Sequence, residues 1–359
     1  MGLHELRLRE FRLFAELTIA PDPSAVTVFL SANGTGKTSV LEAVSTLATA
    51  SSFRTSSGAD LIRTGASVAE VHGVLTHQGR RIQIDLTLTR NTRNVSKQML
   101  LNGQRPSSRA DLGAVLPLTI FTPEGIEVVR GGPEHRRTFL TTLLTDVEHA
   151  AGDVVERHAR VLAQRNALLR SYAGRTPPTS QRDDLDVWTS EFANVSNELL
   201  SWRLKTLDGL APLASEIYQE LAEVPTRLEM HYEPSWDGEL AQALERVIND
   251  DVYRGFTTLG PHRDDLRITL DGRDVRRQAS QGEQRSVAIA LRLGGHRLVQ
   301  HWRGVDPLLL LDDVFSELDP WRSDRLLRLL PVGQALVTTA SPVPHALSTA
   351  AVIDLSQRP

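Results

Sequence analysis

The order of apolar and polar positions at the start of the chain predicts strands, a loop and then a helix. Apolar residues recur over 6–11 and 17–19, and a continuous apolar run over 26–30 is typical of a buried strand. Small residues and glycines interrupt the pattern over 31–36. Apolar residues at helical spacing then follow over 40–48, which predicts an α-helix directly after the loop.

Residues 68–102 predict an antiparallel meander. Apolar residues alternate with polar ones from Ile82 to Leu88, which is the pattern of a strand with one buried face. Gln78-Gly79 and Asn102-Gly103 supply the residue types that tight turns favour.

From Pro133 to about Glu223 the apolar period becomes helical. A stretch rich in Pro, Ser, Thr and Gly, from Tyr172 to Asp184, predicts a break between two long helices that pack as a hairpin. Five apolar residues of the second helix share one face: Trp188, Phe192, Val195, Leu199 and Trp202. The pattern is too short for an extended coiled coil.

Helices and strands alternate at the end of the chain. A helix over 283–302 precedes an apolar strand over 307–311, and a helix over 322–330 precedes a strand over 335–339. This alternation predicts a largely parallel α/β sheet. We therefore expect two lobes: lobe I from residues 1–120 and 300–359, and a helical lobe II from residues 121–299.

Composition limits the classes of protein to consider. The chain has 359 residues, a net charge of −4 and no cysteine, so disulfides, cysteine-ligated zinc and thiol catalysis are excluded. Its apolar runs are far shorter than the roughly 20 residues of a membrane span, and its N-terminus lacks an apolar signal core. These features predict a cytoplasmic protein that does not enter a membrane.

The charge is unevenly distributed along the chain. Residues 51–110 contain nine Arg and Lys against three Asp and Glu, a local excess of six positive charges. Such a stretch is compatible with contacts to DNA phosphates and equally with an ordinary solvated face. The DNA-contact hypothesis selects Arg54, Arg81, Arg93, Lys97 and Arg105.

The loop between the buried strand and the first helix has the features of a phosphate-binding P-loop. Its glycines permit backbone N–H groups to face phosphate, and the helix N-terminus adds partial positive charge. Lys37, one of only three lysines in the chain, is predicted to reach the β- and γ-phosphates, and Thr38 to ligate Mg²⁺. Ser31 replaces the first glycine of the usual pattern. The predicted nucleotide-binding residues here are Ser31, Ala32, Asn33, Gly34, Thr35, Gly36, Lys37 and Thr38.

A second motif is the apolar strand that ends in Asp312 and Asp313. Acidic residues at the carboxyl end of such a strand lie where α/β sheets bind ligands. Asp312 is predicted to complete the Mg²⁺ shell, and Asp313 to orient or deprotonate the attacking water. Lys37 and Asp313 are therefore the catalytic candidates.

A third motif, Ser280 to Arg285, opens a helix. By itself it is most simply a serine helix cap, although a free helix N-terminus also attracts anions. Its position before the acidic strand is that of the ABC-type signature, which binds the γ-phosphate of a partner subunit's ATP. Ser280, Gln281 and Gly282 are the candidates. Thr338 lies where such ATPases place the residue that senses γ-phosphate.

Together these motifs resemble the heads of SMC and ABC-type DNA-repair ATPases, and within that group the RecF family. Further stretches are similar to RecF patterns and run along most of the chain: Ser52 to Thr55, Phe121 to Glu124, Gly131 to Leu140, Gly260 to Asp265 and Leu310 to Asp319. Gly125 and Thr141 depart from the family pattern, in which aspartate is common.

The resemblance implies a fold and a role. The fold would be an ABC-type, SMC/RecF-like α/β head with an antiparallel subdomain and no long coiled coil. ATP and Mg²⁺ would drive homodimerisation around duplex DNA near single-strand gaps. With RecR and RecO the dimer would help to load RecA, and slow ATP hydrolysis would reset it.

Three other classes share some of these motifs. A transporter ATPase usually carries histidine at the switch position, and an SMC protein would need hundreds of heptad residues between the motifs. A small-molecule kinase or GTPase would lack the serine signature.

Overall fold

The computed structural model describes residues 1–32, 34–92, 94–106, 113, 115–172, 174–175, 179–223, 225–330, 333–340 and 350–355. The chain divides into two compact units. The sheet unit comprises Met1–Gly125, Glu220–Glu223 and Gly295–Pro359, and the helical unit comprises Ile126–Gln219 and Val224–Gly294.

The first part of the sheet unit is an antiparallel sheet. Its strands are β1 (Gly2–Phe11), β2 (Phe14–Ile19), β4 (Val68–His77), β5 (Arg80–Arg90) and β6 (Val95–Leu101). They lie in the order β2-β1-β4-β5-β6, which confirms the predicted meander for β4, β5 and β6. Both predicted turns contain residues with positive φ, as tight hairpins require.

The second part is a five-stranded parallel sheet. Its strands are β3 (Val26–Leu30), β7 (Leu118–Phe121), β11 (Leu308–Asp312), β12 (Ala335–Thr339) and β13 (Ala351–Asp354). Every pairing in the order β13-β3-β12-β11-β7 is parallel, so the predicted α/β sheet is confirmed.

Helix α1 (Lys37–Thr49) contacts both sheets, and eleven of its residues are buried. Val40, Val44 and Leu47 are fully buried in one apolar cluster with leucines of β1, β5, β11 and β12. The helix that follows the P-loop is thus fixed by packing on two sides, and its first residue has little freedom to move.

The remaining helices are α2 (Glu127–Arg130), α3 (Pro133–Val147), α4 (His149–Ser171), α5 (Thr179–Ala222), α6 (Leu240–Arg254), α7 (Val275–Gln278), α8 (Gln281–Arg303) and α9 (Pro320–Leu329). Strands β8 (Leu228–Glu233), β9 (Asp265–Leu270) and β10 (Arg273–Asp274) form a small antiparallel sheet in the helical unit. No helix among the described residues is long and apolar enough to cross a membrane.

Helices α4 and α5 form the expected hairpin. Phe192, Val195 and Leu199 are buried in its apolar cluster, and Trp188 and Trp202 pack against that cluster. The predicted break was too long, because α5 begins at residue 179 rather than after 184.

A buried arginine connects four segments of the helical unit. Arg165 of α4 and Asp251 of α6 are both fully buried, with Nη1 and Oδ2 2.8 Å apart. Arg165 also donates to Thr189 of α5 and to Thr257. Because these charges are removed from water, losing either partner would leave the other uncompensated.

Candidate nucleotide site

The P-loop connects the carboxyl end of β3 to the first residue of α1. Gly34 and Gly36 have φ of 84° and 99°, a region that side-chain-bearing residues rarely adopt. Thr35 Oγ1 donates to the carbonyl of Ala32 at 2.8 Å. The candidate Asn33 lies outside the described residues.

Lys37 closes this loop. Its Nζ donates to the carbonyl oxygens of Ser31 and Ala32, the latter at 3.0 Å. Burial lowers the pKa of Lys37, whereas the charges of Asp313 and Asp312 raise it. The amine therefore lies inside the loop, within the field of the two carboxylates that sequence analysis assigned to the same site.

One carboxylate oxygen joins three of the predicted motifs. Asp312 Oδ1 accepts a hydrogen bond from Thr38 Oγ1 at 2.8 Å and another from Thr338 Oγ1 at 2.7 Å. Burial raises the pKa of Asp312, and the hydrogen bonds from Thr338 and Thr38 lower it. The parallel pairing of β3, β12 and β11 explains the convergence, because their carboxyl ends meet at one edge of the sheet.

Asp313 occupies a different position from its neighbour. Its φ of 50° lies in the left-handed region, which aspartate tolerates better than most residues. Its backbone N–H donates to the carbonyl and to Oγ1 of Thr338, at 3.2 and 3.0 Å. Its Oδ1 is buried and has no hydrogen-bond partner among the described residues. A buried acceptor left open in this way is suited to a water or another donor.

Sequence analysis missed the contribution of the turn between β1 and β2. Arg12 donates from Nε and Nη2 to both carboxylate oxygens of Glu42, a fully buried residue of α1. Phe14 packs so closely on Gly36 that a Cβ there would lie 2.6 Å from the ring. Glu42 could have indicated this contact, because it is a charged residue in a helix whose apolar residues, Val40 and Val44 among them, were predicted to be buried.

The signature candidates begin helix α8. Glu283 Oε2 accepts from the backbone N–H of Ser280 at 2.7 Å, and Ser280 Oγ accepts from the N–H of Glu283 at 3.3 Å. These reciprocal contacts form a capping box, and they lower the pKa of Glu283. Gln281 and Gly282 form the first turn of the helix.

Two of the basic candidates lie beside α1. Lys97 Nζ donates to the carbonyl of Ala50 at 2.8 Å, at the C-terminus of α1. Arg54 Nη1 lies 3.9 Å from Glu42 Oε2, and its charge lowers the pKa of Asp312, so Arg54 is close to the nucleotide site.

The other basic candidates are exposed or lie outside the described residues. Arg81 and Arg105 are exposed, and Arg93 lies outside the described residues. The solvent face of the antiparallel sheet also carries acidic partners, as in the Arg9–Glu70 and His72–Asp85 pairs. This face of the sheet therefore carries charges of both signs.

The strand order and the contacts at its carboxyl edge define a P-loop ATPase head of the ABC and SMC class. The family described as RecF/RecN/SMC N terminal domain matches residues 2–343. The DNA replication and repair protein RecF of Acidothermus cellulolyticus is 34% identical over 354 residues, covering 95% of this chain and 94% of the relative. That of Streptomyces avermitilis is 36% identical, with 95% and 94% covered. The chain belongs to the RecF family.

Solved structures agree with this assignment. The recombination mediator protein RecF with ATP, in the RecFOR pathway, matches with a TM-score of 0.86 at 25% identity and covers 95% of this chain and 92% of its own. An Smc head bound to the C-winged helix domain of ScpA matches with a TM-score of 0.57 at 16% identity, covering 99% and 94%. The second likeness shows the fold alone.

Proposed function

We propose that this chain is an ATP-dependent DNA clamp, in which ATP joins two copies and hydrolysis separates them. The observation that carries the proposal is that the hydroxyls of Thr38 and Thr338 both donate to one carboxylate oxygen of Asp312, whose charge also acts on Lys37. An ATP-binding relative of the same fold supports it.

The P-loop residues 31–38 would bind the phosphates of ATP. Lys37 would leave the carbonyls of Ser31 and Ala32 for the β- and γ-phosphates, a stronger charge partner for an ammonium. Thr38 and Asp312 offer the hard oxygen ligands that Mg²⁺ prefers, and their oxygens already lie 2.8 Å apart. Bound there, Mg²⁺ would neutralise phosphate charge.

Hydrolysis would depend on Asp313. Its open, buried Oδ1 suits a residue that orients the attacking water and accepts its proton. Thr338 holds the backbone of Asp313 and would sense the γ-phosphate. We propose a slow ATPase whose chemistry resets the clamp.

The second copy would supply the signature. Ser280, Gln281 and Gly282 would contact the γ-phosphate bound by the partner's P-loop, using the N-terminus of α8 as an anion site. The ATP-bound dimer would enclose duplex DNA next to a gap. With RecR and RecO it would help to load RecA in the cytoplasm. Membership of a family named for DNA replication and repair supports these roles.

Positively charged residues would contact DNA phosphates. We propose Arg54, Arg81, Arg93, Lys97 and Arg105 for this role, without base specificity, because a clamp on the DNA backbone needs none. Each copy in the clamp would consist of two lobes: lobe I at 1–120 with 300–359, and lobe II at 121–299.

Three variants test the proposal by sedimentation and by binding of labelled gapped DNA. We expect Lys37→Ala to lose ATP binding, dimerisation and DNA binding together. Ser280→Arg should keep ATP binding but remain monomeric, and Asp313→Asn should accumulate ATP-bound dimers. DNA binding should weaken steeply with salt. Dimers that form equally with ADP, or ATP-bound protein without salt-sensitive DNA binding, would contradict the proposal.

A further inference from the structure

Gln284 is a buried polar residue on helix α8, four residues after Ser280. Only 7% of it is exposed. Its Oε1 accepts from Arg130 Nε at 2.7 Å, and its Nε2 donates to the carbonyls of Val275 and Arg276 at 3.0 and 3.2 Å. Both ends of the side-chain amide are therefore used, and the glutamine joins α8 to two other segments of the helical unit.

Arg130 and Arg276 complete a closed arrangement around this glutamine. Arg276 Nε donates to the carbonyl of Arg130 at 3.1 Å. The next carbonyl, that of Gly131, accepts from Arg136 Nη1 at 2.9 Å. These hydrogen bonds therefore hold three segments together: the end of α2, the short helix α7 and the start of α8.

The contacts on the exposed side of Ser280 are weaker. Glu283, which caps Ser280, pairs with Arg273 at 3.2 Å, and both side chains of that pair are partly exposed. Ion pairs in contact with water contribute little to holding a geometry. Buried hydrogen bonds contribute more, because breaking them leaves unpaired polar groups away from solvent. The buried contacts of Gln284 should therefore dominate in fixing the first turn of α8.

We propose that Gln284 is a positioning residue for the signature and that Arg130 is its partner. By holding the first turn of α8 against α7 and Arg130, it presents Ser280 to Gly282 in the geometry that the second copy's nucleotide requires. This inference rests on the two-copy site proposed above. It assigns Gln284 no contact with ATP.

The test uses the full-length protein and mixed dimers. Gln284→Leu keeps a similar volume but removes the amide, and we expect ATP binding to monomers to stay at the parent level. The dimerisation constant should weaken about tenfold, or about 1.4 kcal/mol. Mixing this variant with Lys37→Ala should restore hydrolysis, because the mixed dimer combines an intact P-loop with an intact signature. A general folding defect would not be restored.

Two further variants keep the test decisive if Gln284→Leu does not fold. Gln284→Glu keeps an acceptor for Arg130 but loses the amide donors, so it should also weaken dimerisation. Arg130→Leu should also weaken dimerisation, and combining it with Gln284→Leu should cost less than the sum of the two single variants, because both remove the Arg130–Gln284 contact. Gln278→Ala, a matched change in the preceding segment, should behave as the parent.

Mixtures of Ser280→Arg with Lys37→Ala separate the two proposals. Suppose that this mixture regains hydrolysis. The positioning role is then wrong if the Gln284 variants dimerise as the parent does, or if mixing them with Lys37→Ala does not restore hydrolysis. If the Ser280→Arg mixture itself stays inactive, the two-copy site is overturned and the role of Gln284 with it.

Discussion

The two glycines of the P-loop offer a matched pair of substitutions whose effects should differ. Gly34→Ala and Gly36→Ala each place a Cβ on a residue with positive φ, 84° and 99°. Such a conformation costs an L-residue about 1–2 kcal/mol. The surroundings differ, because a Cβ at Gly34 meets no atom within 4 Å, whereas one at Gly36 would lie 2.6 Å from Cζ of Phe14.

The contact with Phe14 sets the size of the difference. Overpacking of a tightly packed position costs about 1–3 kcal/mol. Gly34→Ala should therefore lower the free energy of unfolding by about 1–2 kcal/mol, and Gly36→Ala by about 2–5 kcal/mol. Adding Phe14→Leu to Gly36→Ala should recover part of the excess, because the smaller side chain can move away.

Urea denaturation of the nucleotide-free protein, followed by circular dichroism, measures these differences. The Phe14→Leu single variant completes a double-mutant cycle and isolates the ring contact from the loss of aromatic packing. Equal losses for the two glycine variants would refute the reasoning, as would a double variant without any recovery. In either case the close approach of Phe14 to the P-loop would not constrain Gly36.

Two further predictions concern the buried polar groups of the helical unit. Asp251→Asn should lower the free energy of unfolding by about 3–5 kcal/mol, because Arg165 would remain charged and buried; Asp251→Asn combined with Arg165→Met should lose less than the sum of the single variants. Burial lowers the pKa of His158 to about 3 and that of His262 to about 4, so both are neutral in the folded protein. Unfolded histidine has a pKa of about 6.5, so these two histidines should leave stability unchanged above that pH and each lower it by about 1.4 kcal/mol per pH unit as pH decreases towards 4. His158→Gln should reduce this slope in urea titrations between pH 6 and 5, and an unchanged slope would contradict the assignment.

The parallel sheet and its site were predictable because their signals are local. The apolar run of β3, the glycines and Lys37 fix a strand, a turn and a helix within a dozen residues. The strand before Asp312 is recognised in the same way. The rule that parallel strands bind ligands at their carboxyl edge groups Thr38 with Asp312, and the resemblance to ABC-type ATPases adds Thr338.

The contacts that sequence analysis missed depend on pairs far apart in the chain. Arg12 and Glu42 belong to different elements, and neither has a pattern that names the other. The charge excess over 51–110 is not a surface property by itself, because successive strand residues alternate between faces and a count along the chain adds them together. Lys97 lies opposite Leu88 in the sheet register and donates to the carbonyl of Ala50 at the end of α1, a contact that its sequence neighbourhood does not indicate.

The strand order of the parallel sheet also determines when, during synthesis of the chain, the candidate nucleotide site can form. Strands β1, β2, β4, β5 and β6 all come from residues 2–101, so the antiparallel sheet can assemble while the rest of the chain is still being synthesised. The neighbours of the P-loop strand β3 are β12 and β13, which are made only after residue 334. A ribosome-bound chain therefore carries its P-loop residues long before Asp312 and Thr338 arrive beside them. Under the proposed function, ATP binding and pairing with another copy would therefore be gained only late in synthesis.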